Sequence, residues 1–415
     1  MQTQLAPEFQ NTAEGAQAEA VLARCVHCGF CNATCPTYQL LGDELDGPRG
    51  RIYLIKQVLE GVVPSRSTQL HLDRCLTCRN CETTCPSGVQ YGQLLEIGRG
   101  IVEAKVERPA NERAVRWLLK EGLTSPAFKP AMKLGQLVRP LLPAALQDKV
   151  PAKAPARAHK WPTRSHPRKV GLLMGCVQPA MLPNINSATA RVLDAAGIQT
   201  LVADGAGCCG AIRSHLNDHE GGLADMRRNI DAWWPLVEGL TGAGKIEALV
   251  MNASGCGVTV KDYGRALAHD PAYAEKAARV SAITRDLSEL LASLVPALQP
   301  RVAAGAGGKL AYHPPCTLQH GQQLRGDVEA GLTALGFEVQ RAPCDSHLCC
   351  GSAGTYSVTQ PVLSKQLRDQ KLQALAPIEA NVIVSANIGC IQHLQSGTDT
   401  PVRHWVEVLD EALSR

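Results

Sequence analysis

The chain has 415 residues, 45% hydrophobic and 19% charged, with a formal net charge of +4. That is the make-up of a globular protein of two or three domains, and the positive excess is too small to call for a nucleic-acid partner. Seventeen cysteines, an odd number, exclude a pure disulfide framework.

From the N-terminus, Met1 to Ala20 is polar, carrying Glu8, Glu14 and Glu19 and no apolar signal core. The expected compartment is therefore the reducing cytosol, where clustered cysteines serve as metal ligands. Residues 1–105 then hold two matched runs. The first is Cys25-x2-Cys28-x2-Cys31-x3-Cys35-Pro36, the second Cys75-x2-Cys78-x2-Cys81-x3-Cys85-Pro86. Zinc sites usually split their cysteines into two distant pairs; here three crowd into seven residues, twice, each time followed by Cys-Pro. This is the run of two-cluster ferredoxins. Three cysteines at x2 spacing wrap one 4Fe–4S cluster, and the fourth faces away and ligates the other. The expected ligand sets are thus Cys25, Cys28, Cys31 and Cys85 for one cluster, and Cys75, Cys78, Cys81 and Cys35 for the second.

Between the runs, GPRGRIYLIKQVLEG places Ile52, Leu54, Ile55, Val58 and Leu59 on an amphipathic helix. Arg49, Arg51 and Lys56 on it either face a cluster or an acidic partner, or are solvated surface charges. Residues 106–169 lack cysteine: a helical stretch around Glu112–Glu121 gives way to PAKAPARAHKWPTRSHPRK, which reads as a semi-extended linker. No run reaches the roughly 18 apolar residues of a membrane span; the nearest, 132–146, is broken by Arg139, Pro140 and Pro143.

The rest is an internal duplication, divided as 170–300 and 301–415. Each half opens with an apolar strand leading to a cysteine, Cys176 or Cys316. A helix follows, from Ala188 or Val328, and ends at Gly. A second strand leads into Cys208-Cys209-Gly210 or Cys349-Cys350-Gly351, and a third ends in Gly-Cys at Cys256 or Cys390. Strands alternating with helices predict two α/β units with mainly parallel sheets, whose ligands gather at the carboxyl ends of the strands. Cys344 has no counterpart in the first half. GAGGKL at Gly305 and GAGK at Gly242 lack the spacing of nucleotide-binding loops, so no flavin or nicotinamide site is expected on this chain. His27, His71, His215, His313, His347 and His393 lie near the cysteine motifs and are read as hydrogen-bonded structure or as partners of ligands rather than as ligands.

This layout resembles the cysteine-rich Cys-Cys-Gly domain found in heterodisulfide reductase and in several dehydrogenase iron–sulfur subunits. In the reductase each full motif ends in Cys-x2-Cys, and here the last cysteine is absent: Thr259 and His393 stand in its place. The eight cysteines Cys176, Cys208, Cys209, Cys256, Cys316, Cys349, Cys350 and Cys390 either bind further iron–sulfur clusters or form thiol pockets. Over nearly its whole length the chain resembles the glycolate oxidase iron–sulfur subunits, through RCVHCGFCNATCPTYQLLGDELDGPRGRIYLIKQVLEG, LDRCLTCRNCETTCPSGV, NIDAWWP, CTLQH, DSHLCCGSAGTY and SANIGC. The resemblance implies a mainly helical ferredoxin-like domain with two 4Fe–4S clusters, followed by a duplicated α/β Cys-Cys-Gly domain. It also implies FAD-containing partner subunits that oxidise glycolate to glyoxylate, electrons passing through this chain towards an acceptor such as quinone, and a peripheral place on the cytoplasmic face of the inner membrane. The other readings are the equivalent subunit of a lactate or glycerol-3-phosphate dehydrogenase, and a thiol–disulfide reductase.

Overall fold

The structure, a computed structural model, describes residues 1–141, 160–303 and 305–413. Residues 1–141 are helical, with no strand. The anticipated amphipathic helix spans Pro48–Leu59, started by Pro48 at its first position, where a missing N–H costs nothing. It buries Ile52, Ile55, Val58 and Leu59 against the helices Ala13–Arg24 and Tyr91–Lys105. Gly98 makes the closest of these approaches possible, since a Cβ there would stand 2.6 Å from Ile55 Cγ1. The predicted helix around Glu112 spans Ala110–Thr124, and a second, Phe128–Val138, follows it. Residues 142–159, which include the first half of the proposed linker, lie outside the described residues; its second half is not free, since Trp161 packs on the core of the repeats and Arg164 and His166 pair with Asp194.

The two repeats each build a four-stranded parallel sheet. In the first, β1 (Arg168–Leu172), β2 (Ile198–Leu201), β3 (Ala248–Met251) and β4 (Thr284–Asp286) are ordered β2-β1-β3-β4. In the second, β5 (Lys309–His313), β6 (Glu338–Arg341), β7 (Val382–Ser385) and β8 (Val402–His404) are ordered β6-β5-β7-β8. In both, chain direction across the sheet reverses beside the first strand, between β1 and β3 or between β5 and β7. In open parallel sheets that reversal opens a crevice at the carboxyl ends of the strands. The chain after β1 and β3 carries Cys176 and Cys256, and the chain after β5 and β7 carries Cys316 and Cys390. The sequence pattern puts these four at strand ends; Cys256 and Cys390 instead sit one step further on, in the first turns of the helices Ser254–Lys261 and Ile388–Gln395.

The repeats share one hydrophobic core, running from Val170 and Val250 through Leu291 and Leu332 to Trp405 and Leu409. Polar contacts tie them as well. Asn184 Nδ2 donates to Glu407 at 2.8 Å, Arg191 pairs with Asp410, and the Ser254 N–H donates to the Ala386 carbonyl at 3.1 Å. His404, fully buried, donates from Nε2 to the Asn252 carbonyl at 2.9 Å and accepts the Val406 N–H at Nδ1, 3.1 Å away. Both ring nitrogens are thus matched by a neutral imidazole, and burial lowers the pKa to about 3.

This latch predicts acid sensitivity. The unfolded chain protonates His404 near its ordinary pKa of about 6.5 while the folded chain does not. Its stabilisation is therefore complete above pH 6.5 and lost as pH falls towards 3. Between pH 7 and 4.5 the loss is roughly 2–3 kcal/mol. Thermal melts across that window should fall more steeply for the native protein than for His404→Gln; parallel slopes would remove His404 as the cause.

Candidate metal centres and the cleft between them

The two ferredoxin-type runs fold alike. In each loop the second and fourth residues after the first cysteine are left-handed: His27 and Gly29, then Thr77 and Arg79. Such φ values are unfavourable for residues with a side chain, for β-branched Thr77 most of all, and they coil each loop tightly enough to turn its thiols inward. Cys25, Cys28, Cys31 and Cys85 line one small cavity together with Cys81 and Tyr91. Cys31 is pushed up to about 11 by burial and by the facing thiols of Cys25, Cys85 and Cys28. Cys81 is raised by burial and then by Cys78, Cys75, Glu82 and Cys35. The fourth cysteine of each run therefore stands with the other run.

Arg51 closes the second group. It is fully buried, donating from Nε to the His71 carbonyl at 2.7 Å and from both terminal nitrogens to Thr37 Oγ1 at 3.2 Å. Asp46, itself fully buried, lies 3.3 Å from Arg51, 2.8 Å from Arg74 and 3.1 Å from His71. Burial alone would depress the guanidinium; Cys75, Tyr91, Cys35 and Asp46 together raise it. Of the three basic residues on this helix, Arg51 thus faces the second group of cysteines, Arg49, paired with Glu44, lines the cavity of the first, and Lys56 pairs locally with Glu60. Cys75 also accepts from the Tyr91 hydroxyl at 3.6 Å and from the Thr77 N–H at 3.5 Å.

The second group rests on the second repeat. Leu76, Cys78, Cys316, Cys349, Tyr356 and Leu363 share one apolar cluster. Thr83 Oγ1 lies 2.9 Å from His320 Nδ1, and the Tyr356 hydroxyl donates to the Arg74 carbonyl at 3.1 Å. Cys78 is raised by burial and next by the charge of Cys316. A cleft of about 2840 Å³ opens here, with Cys78 on one wall. Cys176, Cys208, Cys209 and Cys256 of the first repeat also line it, as do Cys316, Cys349 and Cys390 of the second.

Within the first repeat the four thiols touch in series. Cys208 is pushed down from the ordinary thiol range, because Cys176 and Cys209 donate to it and the Gly210 and Ile212 N–H groups add to the effect. Asp225, half-shielded beside it, is raised to about 6 by burial and by the Cys208 charge. In the second repeat Cys316 and Cys349 lie 3.8 Å apart, and Cys350 contacts both Cys349 and Cys390. The glycine ending each Cys-Cys-Gly is obligatory in conformation: φ is +92° at Gly210 and +88° at Gly351. Cys344 is exposed and apart from these groups. Of the six histidines singled out in the sequence, His313 alone joins a compact group with cysteines, Cys350 and Cys390.

A family model described as a 4Fe-4S dicluster domain matches residues 21–89, and one described as a cysteine-rich domain matches 170–261 and 310–395. Over the full length of both proteins the chain is 54% identical to the glycolate oxidase iron-sulfur subunit of Escherichia coli. The chain belongs to the glycolate oxidase iron–sulfur subunit family. A probable glycolate oxidase iron-sulfur subunit of Bacillus subtilis is 29% identical, across 94% of this chain and 92% of that one. Lactate utilization protein A of Geobacillus thermodenitrificans is 27% identical over 58% of this chain and 98% of its own length. Family membership carries with it the two-cluster iron–sulfur region and the duplicated cysteine-rich α/β region seen in the fold.

Arg51→Met strips Asp46 of its central counter-charge inside the protein. Removing one partner of a buried pair costs about 3–5 kcal/mol, and iron content should drop with stability. The double variant with Asp46→Asn should regain part of both. Iron and melting temperature both unchanged in Arg51→Met would show that the buried cation is dispensable.

Proposed function

We propose that this chain is the electron-relay subunit of a complex oxidising glycolate to glyoxylate. The observation that carries the reading is the exchange of the fourth cysteine between the two runs, which creates two adjacent four-thiol groups in one helical domain. The donor set fits iron–sulfur clusters: thiols only, drawn in fours, with N–H and O–H donors turned on Cys75. Cys25, Cys28, Cys31 and Cys85 hold one 4Fe–4S cluster, and Cys75, Cys78, Cys81 and Cys35 the other. When bound, such clusters accept and pass on one electron at a time.

The chain's own residues then set the order of the path. The first group lies nearest solvent: Cys28 is exposed, and Val26, Phe30 and Tyr53 beside it are 69%, 61% and 46% exposed. This is the face where an FAD-containing partner subunit delivers electrons. The second group is enclosed by Arg51 and the second repeat, and Cys78 reaches the cleft wall. Electrons leave towards the cleft, where the thiols of the first repeat, Cys176, Cys208, Cys209 and Cys256, supply a further cluster site and a quinone-type acceptor completes the chain. The partner delivers at the cytoplasmic face of the membrane. No described helix is long and apolar enough to cross a membrane. A hydride needs a two-electron acceptor such as flavin, so glycolate oxidation by the isolated chain is not expected. Domains divide at 1–105, 106–169, 170–300 and 301–415, the last two sharing their core.

Two experiments test this. Cys35→Ser should damage the cluster bound by Cys75, Cys78 and Cys81 and leave the EPR signal of the other largely intact. Loss of only the cluster nearest in sequence would mean that each run is self-contained. In stopped flow, the chain mixed with its FAD partner and glycolate should show flavin reduction followed by cluster bleaching. With residues 1–105 deleted, flavin should bleach and turnover to the acceptor should stop. Dye reduction by the isolated chain with glycolate, or full turnover by the truncated complex, would refute the relay.

A further inference from the structure

The second repeat contains a buried imidazole that its hydrogen-bond network does not use. His313 is the last residue of β5 and pairs across the sheet with Ser385, the last residue of β7. Its side chain therefore stands where the sheet opens its crevice. The residue is 1% exposed, and neither Nδ1 nor Nε2 has a hydrogen-bond partner. Imidazole always carries a donor or an acceptor at each nitrogen, so leaving both unpaired in the interior is unfavourable. A ring nitrogen of His313, the Cys350 Sγ and the Cys390 Sγ all lie within 4.8 Å of one another.

We propose that His313, Cys350 and Cys390, with Cys349 as fourth donor, form a closed binding site for a single divalent metal ion of the zinc type.

Several independent features converge on this site. Donors that share one tetrahedral zinc ion, with bonds of about 2.0–2.3 Å, stand roughly 3.3–3.8 Å from each other, a spacing the compact trio can reach. Among the described residues the first repeat holds no equally compact group. There the residue three places before its leading cysteine is Leu173, buried in an apolar cluster, where the second repeat has His313 three places before Cys316. Nitrogen and sulfur donors together suit zinc. Cys349 contacts Cys350 and adjoins the compact trio without being part of it, so it is the thiol that would turn in to complete the set.

Charge also balances. Binding displaces three thiol protons to solvent, leaving three thiolates around a dication, a net charge of −1. Lys371, 3% exposed, is the buried cation whose charge acts on Cys350, Cys349 and Cys316. It is held by donating to the Asp345 carbonyl. Asn387 Nδ2 donates to the Cys390 Sγ at 3.7 Å, and the Gly351 N–H to the Cys349 Sγ at 3.4 Å, as outer groups do around metal-bound thiolates. A redox-inert ion here would pin the Cys-Cys-Gly loop to the ends of β5 and β7, beside Cys316, whose Sγ lies 3.8 Å from that of Cys349.

The full chain, purified without oxygen or added chelator, is analysed for zinc and iron. Zinc at about one per chain is expected, with X-ray absorption at the zinc edge showing three sulfurs near 2.3 Å and one nitrogen near 2.0–2.1 Å. His313→Leu, which copies the first repeat, should lower zinc at least tenfold while iron and the EPR signals of the N-terminal clusters persist. His313→Cys should keep the zinc. Absence of zinc from the native chain, zinc bound by four sulfurs, or iron rather than zinc lost in His313→Leu would each overturn the assignment. The native chain's absorption spectrum decides the matter even where the variants fold poorly.

Discussion

Gathering thiolates inside a protein is unfavourable, and most of this architecture answers that cost. A low-dielectric interior penalises every buried negative charge unless positive charge or hydrogen-bond donors stand beside it. Around Cys35 and Cys75 the answer is Arg51, locked by Thr37, Asp46 and the His71 carbonyl. At Cys256 and Cys390 it is a helix start, where free N–H groups and the helix dipole favour an anion. At Cys208 it is the neighbouring thiols of Cys176 and Cys209, with the N–H groups of Gly210 and Ile212 adding to them. At the second repeat it is Lys371.

The same constraint explains how the domains sit. The second ferredoxin-type group is covered by Leu76, Tyr356 and Leu363 and so is shielded from water by the second repeat. The two repeats in turn hold their relative positions through a common core and through His404, Arg191 and Asn184. Three thiol-rich centres thus face one cleft. A relay needs fixed distances between its stations, and a shared core supplies them.

The iron–sulfur runs were legible in the sequence because their ligation is local: three cysteines at x2 spacing can do little else. The duplication was legible because strand, helix and Cys-Cys-Gly recur in order. What escaped was non-local or short. Thr284–Asp286 and Val402–His404 are three-residue strands, too brief to show alternation. The Phe128–Val138 helix was hidden by Pro130 and by the prolines just after it. Arg51 read as either a surface charge or a cluster neighbour, because its partners Asp46, Thr37 and His71 come from separate turns. His313 read as hydrogen-bonded structure or as a partner of ligands; only the fold brings it against Cys350 and Cys390, which lie 37 and 77 positions further along the chain.

The central claim is that two clusters lie side by side in the helical domain through exchanged ligands. EPR of the dithionite-reduced full chain tests it most directly. Two reduced clusters held this close should couple magnetically, giving a broadened composite spectrum at full reduction that simplifies to one unperturbed signal at half reduction. Two independent signals at every stage of the titration, or no reducible cluster at all, would contradict the account.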